Sequence, residues 1–125
     1  MRRLFALLLL LPLTALAAPT DETAALASLA QPGSVLIDVR SPAEFAEGAV
    51  PGAHNISHEQ IAARIAEVAP DKDTPIVVYC RSGRRSSIAQ DSLRALGYRN
   101  VSNGGGYEQF SQALNTRPLP TCSNC

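Results

Sequence analysis

Short apolar runs alternate with segments in which apolar residues recur at helical spacing, and no internal repeat interrupts the pattern. Val35-Leu36-Ile37-Asp38-Val39 is nearly continuous in apolar residues, as expected of a strand covered on both faces. Ala53 to Ile56 and Ile76 to Tyr79 read as two more strands, and Val101 marks a last short one. Between them, Asp21 to Ala30 reads as a helix with Thr20 or Asp21 as N-cap and Pro32-Gly33 as its stop. Ser41-Pro42-Ala43-Glu44 starts another: Ser41 is the N-cap, Pro42 fits the first helical position, Glu44 closes a capping box and Gly48 ends the helix. Ser57-His58-Glu59-Gln60 predicts a second capping box, opening a helix with Ile61, Ile65 and Val68 inward and Pro70 as its stop. A helix beginning near Ser86 should bury Ile88, Ala89, Ser92, Leu93 and Leu96, with Gly97 as its cap. Gly104-Gly105-Gly106 should lead into a final helix with Tyr107, Phe110 and Leu114 on one side.

Strand and helix alternating with short connections predict an α/β fold: one domain with a mainly parallel central sheet and helices on both faces. In such sheets ligands bind outside the carboxyl ends of the strands. Asp38 and Cys80 both fall at such ends.

The first residues do not belong to that pattern. Met1-Arg2-Arg3 is a short positive region, Leu4 to Leu16 is apolar apart from Pro12, and Ala15-Leu16-Ala17 supplies small residues for cleavage. Residues 1–17 are expected to be a secretory signal peptide, too short for a comfortable transmembrane helix, and the product to be secreted, in a bacterial periplasm. The domain is then expected over residues 18–115, with 116–125 an extended tail. Of 11 basic residues, Arg2 and Arg3 fall in the leader, and the remaining 9 face 11 acidic ones. That balance points neither to nucleic acid nor, after cleavage, to a membrane surface. Three cysteines in a secreted chain leave one unpaired. Cys122 and Cys125 are close in sequence, which makes Cys80 the odd one.

Cys80 follows a buried strand and opens the run Arg81-Ser82-Gly83-Arg84-Arg85-Ser86. Free cysteines are commonly small buried hydrophobes, but a structural thiol calls for neither three cations nor a glycine within five positions. Gly83 permits a sharp turn. Consecutive amides in such a turn can form an anion-binding nest, and a helix start adds partial positive charge. Together these predict a thiolate, with a pKa below about 7 against the roughly 8.5 of a free thiol. An ionised nucleophile needs no general base.

Leu36-Ile37-Asp38-Val39-Arg40, Glu44-Phe45 and Gly48 through Ile56 resemble the first signature of the rhodanese family. Cys80 to Arg85 resembles its six-residue active loop. Gly97-Tyr98 through Val101 and Gly104-Gly105-Gly106 resemble its C-terminal signature. Ser102-Asn103 departs from the leucine common before those glycines, a change expected to affect packing more than chemistry. The resemblance spans Val35 to Phe110, and it implies sulfur transfer without a cofactor. Thiolate Cys80 would take the outer sulfur of a thiosulfate-like donor as a persulfide and pass it to cyanide or a thiol. The loop amides would hold the anion, and Arg81, Arg84 or Arg85 the donor oxygens. The alternative is a persulfide carrier or sensing module that serves a partner protein and turns over little alone. Cysteine phosphatases place five residues between Cys and Arg; here four separate Cys80 from Arg85, and Ser86 holds the phosphatase position. The smaller cup suits one sulfur better than a phosphoryl group.

Asp38 and Arg40 either orient the active loop, with Asp38 paired to Arg81, or only cap strand ends and pair with Glu44. His54 and His58 read as structural or surface groups. Neither they nor the tail cysteines have zinc-site spacing, so no metal is expected. Cys122 and Cys125 would form a local disulfide in an oxidising compartment, or accept sulfur from Cys80. One small domain without a second copy could dimerise.

Overall fold

The computed structural model describes residues 21–116. The expected signal segment, Cys122 and Cys125 lie outside them. Strands β1 (Val35–Asp38), β2 (His54–Asn55), β3 (Ile76–Cys80) and β4 (Val101–Gly106) form one parallel sheet in the order β2-β1-β3-β4. Helices α1 (Glu22–Leu29) and α5 (Tyr107–Thr116) cover one face. The short α3 (Ile61–Arg64), a 3-10 turn over Ile65–Glu67 and α4 (Arg84–Ala95) cover the other. Helix α2 (Pro42–Glu47) stands at the carboxyl end of β1. No helix among the described residues is long and apolar enough to cross a membrane.

Strand alternation divides the core. Ile37, Val39, Ile76, Val78 and Cys80 pack with Ile61, Ile65, Ala89 and Leu93. Leu36, Val77 and Tyr79 turn the other way, toward Ala25 and Phe110. Every residue of β3 is buried, so the cysteine at its end projects from the most enclosed strand of the sheet.

Three expectations about elements need correction. Ser57 caps no helix: its carbonyl accepts from the Gln60 amide in a turn, and only four α-helical residues follow. The Ser-x-x-Gln pattern satisfies a tight turn as well as a helix start. Helix α4 begins at Arg84, ahead of Ser86, with Gly83 as its N-cap. Its buried face is Ser86, Ala89, Gln90 and Leu93, while Ile88 and Leu96 are 47% and 41% exposed. Gln90 turns inward because its amide donates to the Val101 carbonyl and to Asp21, both at 2.9 Å. That capacity cannot be inferred from apolar spacing.

The glycines also differ from expectation, since Gly104-Gly105-Gly106 belongs to β4. Asn103 pairs with Val78 and Gly105 with Tyr79, so Gly104 is an extra residue in a bulge. The bulge lets β4 keep pace with β3 up to the pair Cys80 and Gly106. Gly104 also leaves room for Phe110, whose ring would lie 3.2 Å from a Cβ there.

Gly97 does end α4 as expected. Its amide donates to the Arg94 carbonyl at 3.0 Å and that of Tyr98 to the Leu93 carbonyl at 3.1 Å, a Schellman closure. The φ of Gly97 is +96°, and a Cβ there would meet nothing within 4 Å. Gly97→Ala should therefore cost only the backbone strain, about 1–2 kcal/mol. A urea-unfolding midpoint that falls while the denaturant slope is unchanged would check it.

Candidate active site

Cys80 ends β3 with its side chain toward α4, and the chain must reverse within three residues to start that helix. Gly83 makes this turn with φ +89°. A side chain there would be strained by the backbone, with its Cβ in contact with Gly105 at 3.4 Å. The turn brings the Gly83 amide to 3.0 Å from Cys80 Sγ, and the Ser86 hydroxyl stands at 3.4 Å.

The thiol itself is fully buried. Burial is the largest influence on its ionisation and pushes the pKa up. Acting against burial are the Ser86 hydroxyl and the amides of Ser86, Ser82 and Gly83, and the balance lies below the ordinary thiol value. Local dipoles rather than arginines thus supply the main contributions that oppose burial.

The arginines are arranged differently from a ring of free cations around sulfur. Arg85 forms a fork on Glu44, with Nη1 to Oε1 at 2.7 Å and Nη2 to Oε2 at 2.9 Å. Arg81 Nε adds a third contact to Glu44 at 3.2 Å. Arg84 is exposed and makes no ion pair among the described residues. Two arginines in the first turn of α4 oppose the helix dipole; Glu44 offsets the charge of Arg85 and Arg81. The forked Arg85 holds the Glu44 carboxyl well below the usual carboxylate range.

The sequence showed Glu44 as a capping residue, as part of the first signature and as an ion-pair candidate for the end of β1, but not as a partner of the cysteine loop. It fills the capping role, with Ser41 Oγ accepting from its amide at 3.2 Å and donating to its Oε1 at 3.1 Å. The same carboxylate then joins α2 to the cysteine loop, 37 and 41 residues away in sequence. The hint was that the capping box follows Asp38, at the same sheet edge as Cys80.

Asp38 does not reach Arg81. It pairs with Arg40, whose Nε lies 3.0 Å from both carboxylate oxygens and whose Nη2 lies 2.6 Å from Oδ2. Both residues are buried. Arg40 Nη2 also donates to the Gly48 carbonyl at 2.7 Å, and its guanidinium lies 4.5 Å from the centre of the Tyr107 ring. The pair therefore ties the end of β1 to the turn after α2 and to the start of α5. His54 is exposed and His58 half-buried, and neither side chain bonds to the loop among the described residues.

Sequence reasoning expected a strand at Val101 but missed the part that β4 plays in the site. Asn103 Nδ2 donates to the Gly83 carbonyl at 3.1 Å, and its Oδ1 accepts from the Gly105 amide at 2.9 Å and the Ser86 hydroxyl at 2.8 Å. Gly106 is required by close approach, since a Cβ there would fall 2.6 Å from the Arg81 carbonyl oxygen. Beside the loop lies a cleft of about 670 Å3, walled by Arg81, Ser82, Gly106 and Tyr107 and flanked by Glu47 and Glu108.

Because its pKa is depressed, Glu44 contributes stability that is complete above its unfolded value of about 4.3 and is lost as pH falls toward its folded value. Glu44→Gln should lower stability at neutral pH and flatten the acid-side decline below about pH 4. Urea midpoints of both proteins across that range would check it; parallel curves would remove the clamp as a stabilising contact.

Residues 21–113 match the rhodanese-like domain family. The Escherichia coli thiosulfate sulfurtransferase PspE is 40% identical over 75 residues, covering 60% of this chain and 72% of its own. A Pseudomonas syringae thiosulfate sulfurtransferase, GlpE, is 37% identical over 82 residues, covering 65% and 76%. Among solved structures, an Escherichia coli rhodanese with anions superposes with a TM-score of 0.59 at 40% identity, over 60% of this chain and 88% of that one. The human single-domain sulfurtransferase TSTD1 superposes with a TM-score of 0.58 at 28% identity, over 82% of this chain and all of that one. With a matched profile spanning most of its length and relatives of this similarity, the chain belongs to the rhodanese family.

Proposed function

We propose that the protein is a thiosulfate sulfurtransferase with Cys80 as its nucleophile. The observation that carries this reading is the buried Cys80 sulfur facing the Gly83 amide and the Ser86 hydroxyl, in a chain whose relatives bear that activity in their names. The thiolate attacks the outer sulfur of thiosulfate. The sulfur–sulfur bond of the donor breaks, sulfite leaves with its electron pair, and Cys80 holds a persulfide anion. An acceptor, cyanide or a thiolate, then attacks the outer persulfide sulfur, and the Cys80 thiolate departs with the bonding pair. Because the two half-reactions share one covalent intermediate, the kinetics are ping-pong.

The surroundings support roles for the rest of the loop. The Gly83 amide and the Ser86 hydroxyl, already in contact with Sγ, support the reading that the loop also stabilises a persulfide anion. Arg81, with its side chain 67% exposed, and Arg84, also exposed, are available to donor oxygens, whereas Arg85 is occupied by Glu44. Asp38 and Arg40 support the site by fixing the turn at Gly48 and Tyr107. The basic and apolar segment at residues 1–17 supports export, with the domain acting outside the cytoplasm.

Two measurements test this reading. Reduced protein treated with thiosulfate should gain the mass of one sulfur atom, lose it on addition of cyanide, and show neither change as Cys80→Ser. No gain on reduced wild type would remove thiosulfate as donor. A gain followed by no sustained turnover with cyanide or thiols would instead favour a persulfide carrier that serves a partner. The second measurement is the pH dependence of the loading rate. Loading requires the thiolate, so the rate should be flat above the Cys80 midpoint and fall below it, with that midpoint under the roughly 8.5 of a free thiol. A midpoint at or above the free-thiol value would mean that the nest does not outweigh burial.

A further inference from the structure

The Ser86 hydroxyl carries one proton and faces two acceptors, Asn103 Oδ1 at 2.8 Å and Cys80 Sγ at 3.4 Å. Ser86 is fully buried, so water does not compete for it. The orientation of the Asn103 amide is fixed independently, because Nδ2 meets a carbonyl, that of Gly83, and Oδ1 meets an N–H, that of Gly105. A flipped amide would set like against like at both contacts. Asn103 thus joins three segments around the sulfur: the β4 bulge, the turn at Gly83 and the first turn of α4.

We propose that Asn103 is a positioning residue for the Cys80 thiolate, acting through the Ser86 hydroxyl and the Gly83 carbonyl. When Cys80 is a neutral thiol, the Ser86 proton rests on Asn103 Oδ1, the nearer acceptor. When the sulfur ionises, the hydroxyl rotates its proton toward the full negative charge, and Asn103 Oδ1 keeps the Gly105 amide as partner. No buried group is stranded in either state. Asn103 also decides where Ser86 Oγ stands. A serine in a helix can otherwise turn back to donate to the carbonyl one turn earlier, which would remove its hydroxyl from the sulfur. The bond from Asn103 Nδ2 holds the Gly83 carbonyl and so braces the turn residue whose own N–H, on the other side of its Cα, points at Sγ from 3.0 Å. Keeping Ser86 Oγ beside the sulfur and bracing the Gly83 turn both favour the charged form. Together they outweigh the bond to Asn103 Oδ1 that the hydroxyl gives up on ionisation, so losing Asn103 should raise the thiolate midpoint.

The catalytic consequence rests on the persulfide reading above, but the inference is testable without a sulfur donor. Thiolate absorbance in the ultraviolet, titrated against pH with Cys80→Ser subtracted, reads the ionisation of Cys80 in the full chain. Asn103→Leu keeps the approximate shape and removes both polar atoms. Its midpoint should rise by about one pH unit, a tenfold loss of thiolate at any fixed pH well below both midpoints. Ser86→Ala, which introduces a good helix former, should raise it by a similar amount. The double variant should raise it by less than the two shifts added, because one route is shared. Unchanged midpoints in Asn103→Leu or in Ser86→Ala would overturn the proposal, as would fully additive shifts. Ser86→Ala keeps the proposal falsifiable even if Asn103→Leu does not fold, since a thiolate indifferent to Ser86 removes one of the two routes the proposal requires. If the midpoints move as expected and thiosulfate still adds no sulfur, the positioning role stands and the sulfurtransferase reading falls.

Discussion

The constraint on which the site depends is the cost of holding a negative charge on a sulfur from which water is excluded. An ion taken out of water must find its solvation in the protein, from groups already oriented before the charge appears. Here those groups are the Ser82, Gly83 and Ser86 amides and the Ser86 hydroxyl. They converge only because β3 ends at Cys80 and α4 begins four residues later, so that the start of a helix is folded back onto the end of a strand. Gly83 provides the reversal, and Gly106 lets β4 approach the Arg81 carbonyl closely enough to enclose the turn from its other side.

The arginines then take a different place in the electrostatics from the one their number suggests. A guanidinium that forks onto a carboxylate has its charge largely committed. Glu44 takes up Arg85 in this way and touches Arg81. The arrangement fixes the outer wall of the loop while leaving Arg84 and the exposed side of Arg81 toward solvent. It also makes the position of α2 part of the site, since the carboxylate that caps that helix is the one that clamps the loop. The buried Asp38–Arg40 pair works one layer further back, setting the Gly48 turn against Tyr107.

The division between what the sequence disclosed and what it did not follows the range of the interactions. The parallel sheet, its two covered faces, the Ser41 capping box and the Gly97 stop were legible because each is encoded within a few residues. So was the cysteine loop, a contiguous run with a required glycine. The failures have one physical kind. Ser57 and Gln60 fit a turn as well as a cap; the buried face of α4 includes Gln90 because of bonds to Asp21 and Val101. The Asp38 partner was misassigned because Arg40, two residues on, can fold back onto it and no local rule excludes that. In each case the deciding contact was a polar one, between backbone groups at Ser57 and through a side chain at Gln90 and Arg40, whose partner the sequence pattern does not specify.

Asn103 is the sharpest instance. Read along the chain, an asparagine before three glycines is a departure that should matter only to packing. The bulge at Gly104 changes its meaning, because the extra residue leaves Asn103 opposite Val78 while carrying Gly106 up to Cys80. A side chain three residues before the end of β4 can then reach the Gly83 carbonyl and the Ser86 hydroxyl together. The glycine run therefore has two functions that a reading of glycine as mere flexibility would miss. It removes side chains where the loop and Phe110 need space, and it sets the register that brings one side-chain amide to the Ser86 hydroxyl and the Gly83 carbonyl.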